Sequence, residues 1–220
     1  MNKLDAQLAS QIDRAVEVLK AGGIVAYPTD TVYGLGANVF NVLAVDKIYE
    51  VKKRPRTSPL PILLARAEDV DLVADIVPAY ARLLMKHFWP GGLTLVLSKA
   101  ASLPDVVTAG SDKVAVRVPC HVVPLTIIRK LGRPIIGTSA NMSNEPSSVT
   151  AQEVEQQLGA QVDLIVDMGR CPGGVESTVF DVSGEVPVIL RQGIMPEKKI
   201  MKVYRGYAKE AGKSENRCRL

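Results

Sequence analysis

Apolar residues near the N-terminus recur at the spacing of one helical face. This spacing predicts a helix that stops at Gly22-Gly23 and whose apolar face consists of Leu4, Leu8, Ile12, Ala15, Val16 and Leu19. The short apolar run at residues 24–27 is typical of a strand. Residues 29–36 combine polar side chains with two glycines, which predicts a loop that could present a ligand surface.

A second helical pattern starts after Asn41, which can act as an N-cap, and runs through Lys52. Pro55 cannot continue this helix because it lacks the backbone N–H that the next turn needs. The basic run of residues 52–56, four of whose five residues are Lys or Arg, is therefore predicted to lie at a helix C-terminus.

Helical and strand patterns alternate in the rest of the chain. Helices are predicted within residues 68–88, with a break at Pro78, at residues 122–131, closed by Gly132, and at residues 150–158, where Thr150 and Glu153 match a capping box. Strands are predicted at residues 60–65, 93–97, 114–118, 134–138, 162–166, 177–182 and 186–190. We therefore predict a single-domain α/β protein with one twisted sheet of about seven strands, of mixed and mostly antiparallel direction, flanked by four or five helices.

The composition is that of an ordinary globular protein, with 47% hydrophobic and 23% charged residues in 220. No apolar run approaches the roughly 20 residues that a membrane helix needs, and Asp5 and Asp13 interrupt the N-terminal apolar residues, so neither a membrane span nor a signal peptide is expected. Three widely spaced cysteines without a CxxC motif predict reduced thiols and no structural metal. A cytoplasmic protein is the resulting expectation.

The positive net charge is concentrated at the C-terminus. Residues 197–220 hold eight Lys or Arg against three Glu, so residues 1–196 are close to neutral. We predict a catalytic domain at residues 1–196 and a basic, partly disordered tail at residues 197–220.

The candidate chemistry is that of an anion site. A cation cluster at residues 52–56 and the triplet Ser139-Ala140-Asn141 both adjoin predicted strand ends, where an α/β fold can bring them together around a polyanion. The chain has no GxxxxGK[ST] or GxGxxG phosphate loop, no GxSxG motif, and only two histidines from which to build a triad. Phosphate or carboxylate binding by cations and hydroxyls is therefore favoured over covalent catalysis. The competing interpretation is that the cluster merely stabilises a helix C-terminus through the macrodipole.

Seven segments in order resemble the YrdC family of threonylcarbamoyl-AMP synthases: residues 27–36, 52–55, 89–94, 116–119, 139–141, 177–179 and 189–193. The hallmark Lys-x-Arg and Ser-x-Asn motifs of that family fall on Lys52/Arg54 and Ser139/Asn141, for which the resemblance implies a catalytic role. It further implies that L-threonine is bound by Thr31, Arg117, Gly137 and Ser177. ATP would be bound by Arg54, Ser58, Lys113, Ser139, Ser147 and Arg191, with Mg²⁺ accompanying the triphosphate.

The reaction that the resemblance implies is nucleotidyl transfer: L-threonine, bicarbonate and ATP give threonylcarbamoyl-AMP and pyrophosphate, the first step of tRNA threonylcarbamoyladenosine modification. A threonylcarbamoyl transferase complex would then be the downstream partner. The chain departs from many relatives in having Lys53 where they have Gly, and Leu63-Leu64 where some have a histidine.

Two alternatives remain open from the sequence. The chain could be a module that binds double-stranded RNA or tRNA through residues 52–56 and the tail. It could also be a paralogue that acts on another acyl-adenylate, since a fold does not determine a function.

Overall fold

The computed structural model describes residues 3–217 and, within them, the side chains of residues 6–209. The helices are α1 (Lys3–Lys20), α2 (Val42–Lys52), α3 (Ala79–Phe88), α4 (Asp105–Thr108), α5 (Val122–Leu131), α6 (Ala151–Leu158) and α7 (Glu197–Arg217). The strands are β1 (Val25–Tyr27), β2 (Gly34–Gly36), β3 (Ile62–Leu63), β4 (Leu93–Ser98), β5 (Lys113–Arg117), β6 (Ile135–Ile136), β7 (Thr138–Ser139), β8 (Leu164–Ile165), β9 (Thr178–Asp181) and β10 (Val188–Arg191). Short 3₁₀ turns cover Ala67–Leu72 and Gly159–Gln161.

The strands form two mixed sheets. The first has the order β7-β2-β1-β8, with β1 antiparallel to β2 and parallel to β8. The second has the order β10-β9-β4-β5-β3-β6, with β4 antiparallel to β5 and parallel to β9. The α/β class and the mixed strand direction are confirmed. The prediction of one sheet of about seven strands needs correction, because several strands are only two residues long and the described chain divides its strands between two sheets.

Helices cover both sheets and bury an extensive apolar core. One part of this core, in which α1 packs against α5, includes Leu19, Tyr27 and Ile127, all fully enclosed. The larger part gathers side chains from α2, α3, α6 and both sheets. The alternation of buried and exposed positions along these helices is the pattern from which they were predicted.

The helices with clear capping signals lie where the sequence predicts them. Asn41 accepts the N–H of Ala44 at 3.1 Å and starts α2, and Thr150 accepts the N–H of Glu153 at 3.2 Å and starts α6. Gly132, with φ of 69°, ends α5.

Residues 34–36 form strand β2, although the sequence favours a loop there. The ring of Tyr27 lies against this strand, and a Cβ at either Gly34 or Gly36 would come within 2.7 Å of the ring. Glycine is therefore required by a tertiary contact rather than by a turn. Residues 29–33 do form the expected loop.

The described part of the C-terminal segment is helical. Ile200 is fully buried, and the ring of Tyr204 packs edge-on against Tyr80 of α3 with centroids 5.5 Å apart. The expected boundary at residue 196 stays a prediction, and residues 218–220 lie outside the described residues.

No helix among residues 3–217 is long and apolar enough to cross a membrane. Cys120 and Cys171 are free thiols, and Cys218 is outside the described residues.

Candidate active site

A cleft of about 700 Å³ is lined by strands of both sheets and by the end of α2. Glu176, a residue that sequence reasoning missed, also lines it and accepts a hydrogen bond from Ser147 Oγ at 2.6 Å. Ser147 is thereby connected to the cleft without lining it. The other eleven residues predicted for the site line the cleft directly: Thr31, Lys52, Arg54, Ser58, Lys113, Arg117, Gly137, Ser139, Asn141, Ser177 and Arg191.

Lys52 binds the backbone of the triplet at residues 139–141. Its Nζ lies 2.5 Å from the carbonyl oxygen of Ser139, 2.6 Å from that of Asn141 and 3.2 Å from Asn141 Oδ1. These three acceptors match the three N–H donors of an ammonium group, and Lys52 is only 1% exposed. Burial, assisted by the charge of Arg54, lowers the pKa of Lys52 to about 7. Lys52 thus supports the backbone of the triplet, and its catalytic role stays a prediction.

The side chain of Asn141 also holds its own loop. Its Nδ2 donates to the carbonyl oxygens of Met142 at 3.0 Å and Glu145 at 2.6 Å. In the part of the chain whose side chains are described, the Ser139 hydroxyl has no protein partner. Of the triplet, Ser139 therefore has the side chain available to a ligand.

Arg54 lies in a short turn just after the end of α2. The helix ends with Lys53 in the left-handed region, at φ of 48° and ψ of 38°. Arg54 Nε then donates to the carbonyl oxygen of Ser58 at 3.2 Å and Nη2 to that of Pro59 at 2.9 Å. Burial lowers the pKa of Arg54, opposed by Tyr49 and reinforced by the nearby Arg191 charge. Arg54 and Arg191 thus form a compact positive region.

Arg117 is the most buried arginine of the cleft, at 6% exposed. Its Nη2 pairs with Asp30 Oδ1 at 2.6 Å, its Nη1 donates to Thr31 Oγ1 at 3.0 Å, and its Nε donates to the carbonyl oxygen of Gly91 at 2.7 Å. Burial lowers the pKa of Arg117, while Asp30 opposes this shift. Because a guanidinium has five N–H donors, two remain for a ligand.

Ser177, which immediately precedes β9, lies beside Arg191 at the end of β10. Ser177 Oγ is 2.8 Å from Thr94 Oγ1, and Arg191 binds the Ser177 carbonyl oxygen through Nε at 3.2 Å and Nη2 at 3.1 Å. Arg191 Nη1 also forms an ion pair with Glu176 Oε2. These contacts fix Arg191 from two sides.

Lys113 lies on β5 and pairs with Asp181 Oδ2 at 3.0 Å. Partial burial raises the pKa of Asp181, but hydrogen bonds from Ser183 and Lys113 outweigh this effect and lower it overall. The cation of Lys113 thus lies on the same strand as Arg117, four residues away.

Gly137 is required by packing against the second sheet. A Cβ at this position would lie 2.4 Å from Leu63 Cγ. Leu63, in the segment where some relatives carry a histidine, therefore supports the cleft wall through its side chain.

Sequence reasoning missed the carboxylates of the site. Asp30, Glu176 and Asp181 each pair with a predicted cation. Asp30 and Glu176 immediately precede the predicted ligand residues Thr31 and Ser177, and this adjacency is the signal that could have identified them. Among the described residues, no group of three or more His, Cys, Asp or Glu side chains could hold a metal ion.

Comparison with known proteins identifies relatives across most of the chain. The Sua5/YciO/YrdC family model, described as "Telomere recombination", matches residues 17–193. The threonylcarbamoyl-AMP synthase of Bacillus subtilis is 44% identical over 191 residues, covering 86% of this chain and 55% of that protein.

Two solved structures are also similar to the chain. Pyrococcus abyssi Sua5 complexed with L-threonine is 44% identical, with a TM-score of 0.86, covering 87% of this chain and 56% of that one. Escherichia coli YciO is 27% identical, with a TM-score of 0.77, covering 84% and 90%. The chain thus spans just over half the length of the synthase and of Sua5, but most of the length of YciO.

Proposed function

The chain belongs to the Sua5/YciO/YrdC family, and we propose that it is an L-threonylcarbamoyladenylate synthase. In this proposal it converts L-threonine, bicarbonate and ATP to threonylcarbamoyl-AMP and pyrophosphate, the first step of tRNA threonylcarbamoyladenosine modification. One observation carries the proposal: a single cleft has a buried arginine flanked by hydroxyls at one place and a group of cations at another.

The threonine subsite is formed around Arg117. Its two remaining N–H groups suit a carboxylate, and its neighbour Thr31 and the hydroxyl of Ser177 offer further polar contacts. Gly137 lines the same cleft without a side chain, which leaves room for the substrate. The L-threonine in the complex of the 44% identical Sua5 supports this assignment.

The triphosphate subsite consists of cations and hydroxyls from separate elements. Arg54, Lys113 and Arg191 supply positive charge, while Ser58, Ser139 and Ser147 supply hydroxyls near it. Magnesium would enter bound mainly to phosphate oxygens and water, as it commonly does in nucleotide sites, and would neutralise phosphate charge there.

Catalysis in this proposal needs alignment rather than a covalent nucleophile. The threonine amine and bicarbonate form a carbamate with loss of water, and a carbamate oxygen attacks the α-phosphate as pyrophosphate leaves. Lys52 acts as a positioning residue, because its donors hold the segment that carries Ser139. The cations near the phosphates stabilise the charge that develops on the leaving group.

Pyrophosphate release by the purified protein tests the proposal. We expect release only when L-threonine, bicarbonate and ATP are all present, together with a product that mass spectrometry identifies as threonylcarbamoyl-AMP. Serine in place of threonine serves as the matched substrate control. ATP-dependent release that ignores threonine would favour the paralogue that acts on another acyl-adenylate.

One observation favours RNA binding as a second candidate function. Lys198, Lys202, Arg205 and Lys209 lie on one exposed face of α7, opposite the face that packs on α3. Such a stripe could neutralise phosphates of tRNA or double-stranded RNA. Replacing the four residues with Gln should then weaken RNA binding and flatten its salt dependence.

We also propose that the product, threonylcarbamoyl-AMP, is delivered to a threonylcarbamoyl transferase complex.

A further inference from the structure

Glu176 joins two candidate ATP ligands that come from different parts of the chain. Its Oε1 accepts the hydroxyl of Ser147 at 2.6 Å, and its Oε2 pairs with Arg191 Nη1. Ser147 lies 29 residues before Glu176 and Arg191 lies 15 residues after it. A single carboxylate therefore holds both groups at one edge of the cleft.

The backbone of Glu176 is fixed, whereas its side chain can reach solvent. The Glu176 carbonyl oxygen accepts the N–H of Ile194 at 2.9 Å, and a Cβ at Gly193 would lie 2.3 Å from that oxygen. The Glu176 side chain is 32% exposed and that of Arg191 is 47% exposed. Only a change of side-chain rotamer is needed to separate the carboxylate from its partners.

The charge of Glu176 offsets a group of like charges. Lys52, Arg54 and Arg191 are close enough that Arg54 lowers the pKa of Lys52 and Arg191 lowers that of Arg54, although burial is the larger cause in both cases. The negative charge of Glu176 has the opposite effect and raises the pKa of both Lys52 and Arg54. Three cations without a counter-ion would repel one another, and a carboxylate beside them relieves this repulsion.

We propose that Glu176 is an internal counter-ion of the cleft, which holds Ser147 and Arg191 in the ligand-free protein and releases both to a bound polyphosphate. The inference rests on the proposed function, since it takes this cluster to be the triphosphate subsite. A polyphosphate supplies the same negative charge and hydrogen-bond acceptors, so both partners can exchange one anion for another. The exchange carries a cost, because the displaced carboxylate stays near the incoming phosphates.

The substitution Glu176→Gln removes this cost while preserving the size of the side chain and an acceptor oxygen. We expect inorganic triphosphate, added without magnesium at low ionic strength, to bind the variant about 3- to 10-fold more tightly than wild type in isothermal titration. The gain should shrink at high salt, which screens the repulsion. The Tm of the ligand-free variant should be about 2–4 °C below that of wild type. Saturating triphosphate should reduce this difference in Tm.

Glu145→Gln is the matched control. Glu145 also lines the cleft but is exposed, and no cation among the side chains described pairs with it. This variant makes the same change in net charge and should bind triphosphate within about twofold of wild type. If both variants bound triphosphate more tightly by a similar factor, the cause would be the change in net charge, and the counter-ion role of Glu176 would be overturned.

Weaker or unchanged triphosphate binding in Glu176→Gln also overturns the inference. If wild type still releases pyrophosphate with threonine, bicarbonate and ATP, the proposed function survives that result. If wild type neither binds triphosphate nor releases pyrophosphate, both the inference and the proposed function fail. The wild-type turnover assay therefore separates the two failures.

Discussion

Lys52 Nζ lies 2.5 Å from the carbonyl oxygen of Ser139, a residue 87 positions later in the chain. The contact ties the C-terminal end of α2 directly to the end of strand β7. It also explains how two short motifs, each common by itself, can operate as one unit. Lys52 shapes the site by holding the backbone that presents Ser139.

Lys52→Met should destabilise the protein strongly. The methionine keeps most of the apolar stem but leaves the carbonyl oxygens of Ser139, part-buried, and Asn141, buried, without their donor. We expect the free energy of unfolding to fall by roughly 2–5 kcal/mol, measured by urea denaturation. Lys53→Met, one residue further on and exposed, is the control and should change it by less than about 0.5 kcal/mol. A stable Lys52→Met variant that loses only ATP affinity would instead make Lys52 a phosphate ligand.

The lowered pKa of Lys52 predicts a pH dependence of stability. Between about 7, the folded value, and the ordinary value of 10.5, the unfolded chain keeps a proton that the folded protein has lost. The unfolded state then binds more protons, so the free energy of unfolding rises with pH in this window, by up to about 1.4 kcal/mol per pH unit. Below pH 7 the contribution is flat, because both states are protonated.

Unfolding of wild type and Lys52→Met by urea at pH 7, 8 and 9 isolates this effect. Other groups titrate equally in both proteins, so the difference in free energy of unfolding should move in favour of wild type as the pH rises. Parallel pH profiles for the two proteins would contradict the lowered pKa.

Lys53→Gly should stabilise the protein. Lys53 has φ of 48°, a conformation that glycine adopts without the steric penalty of a Cβ. We expect a gain of about 0.5–1 kcal/mol in urea unfolding, reduced by the greater freedom of glycine in the unfolded chain. Lys53→Ala removes the same lysine side chain but keeps the Cβ, so it should give no gain. If Lys53→Gly and Lys53→Ala changed the free energy of unfolding equally, the cause would be loss of the lysine charge rather than relief of backbone strain.

Local signals accounted for the elements that the sequence predicted well. Helix α5 spans the predicted residues 122–131, since Gly132 ends it through its own backbone conformation. Helix α6 likewise begins at the cap supplied by Thr150. Such signals act within a few residues and can therefore be read from the sequence alone.

Tertiary contacts account for what the sequence did not predict. Strand β2 depends on the ring of Tyr27, and the partners of Lys52 lie 87 to 89 residues away. The ion pairs of Asp30 with Arg117 and of Glu176 with Arg191 depend on the folded chain, which brings together residues 87 and 15 positions apart. The resemblance of ordered motifs predicted which residues would meet in the cleft, and residue patterns alone did not specify how they pair.

Arg117→Lys should impair threonine use selectively. Lysine keeps the charge but cannot contact Asp30, Thr31 and a carboxylate in the fork geometry of a guanidinium. We expect the KM for threonine to rise about 10- to 100-fold, while the KM for ATP changes little. Arg66→Lys, at an exposed ion pair, is the control. If only the KM for ATP increased, Arg117 would have to be assigned to the triphosphate subsite instead.

Gly137→Ala should damage the cleft wall through one defined clash. Its Cβ would lie 2.4 Å from Leu63 Cγ, and Leu63 is buried at 3% exposed, so neither residue can move without disturbing the sheet. Overpacking of this kind costs about 1–3 kcal/mol in the free energy of unfolding. Gly184→Ala, with no atom within 4 Å of its added Cβ, is the control and should be nearly neutral.

The double variant Gly137→Ala/Leu63→Ala separates this clash from a direct effect on the ligand. Removing the leucine side chain makes room for the new Cβ, so the double variant should be more stable than the sum of the two single changes predicts. We expect Gly137→Ala to weaken threonine binding by disturbing the cleft wall, and if the clash is the cause, the double variant should recover part of this affinity along with stability. Additive stability changes would show that the added methyl group acts on something other than Leu63.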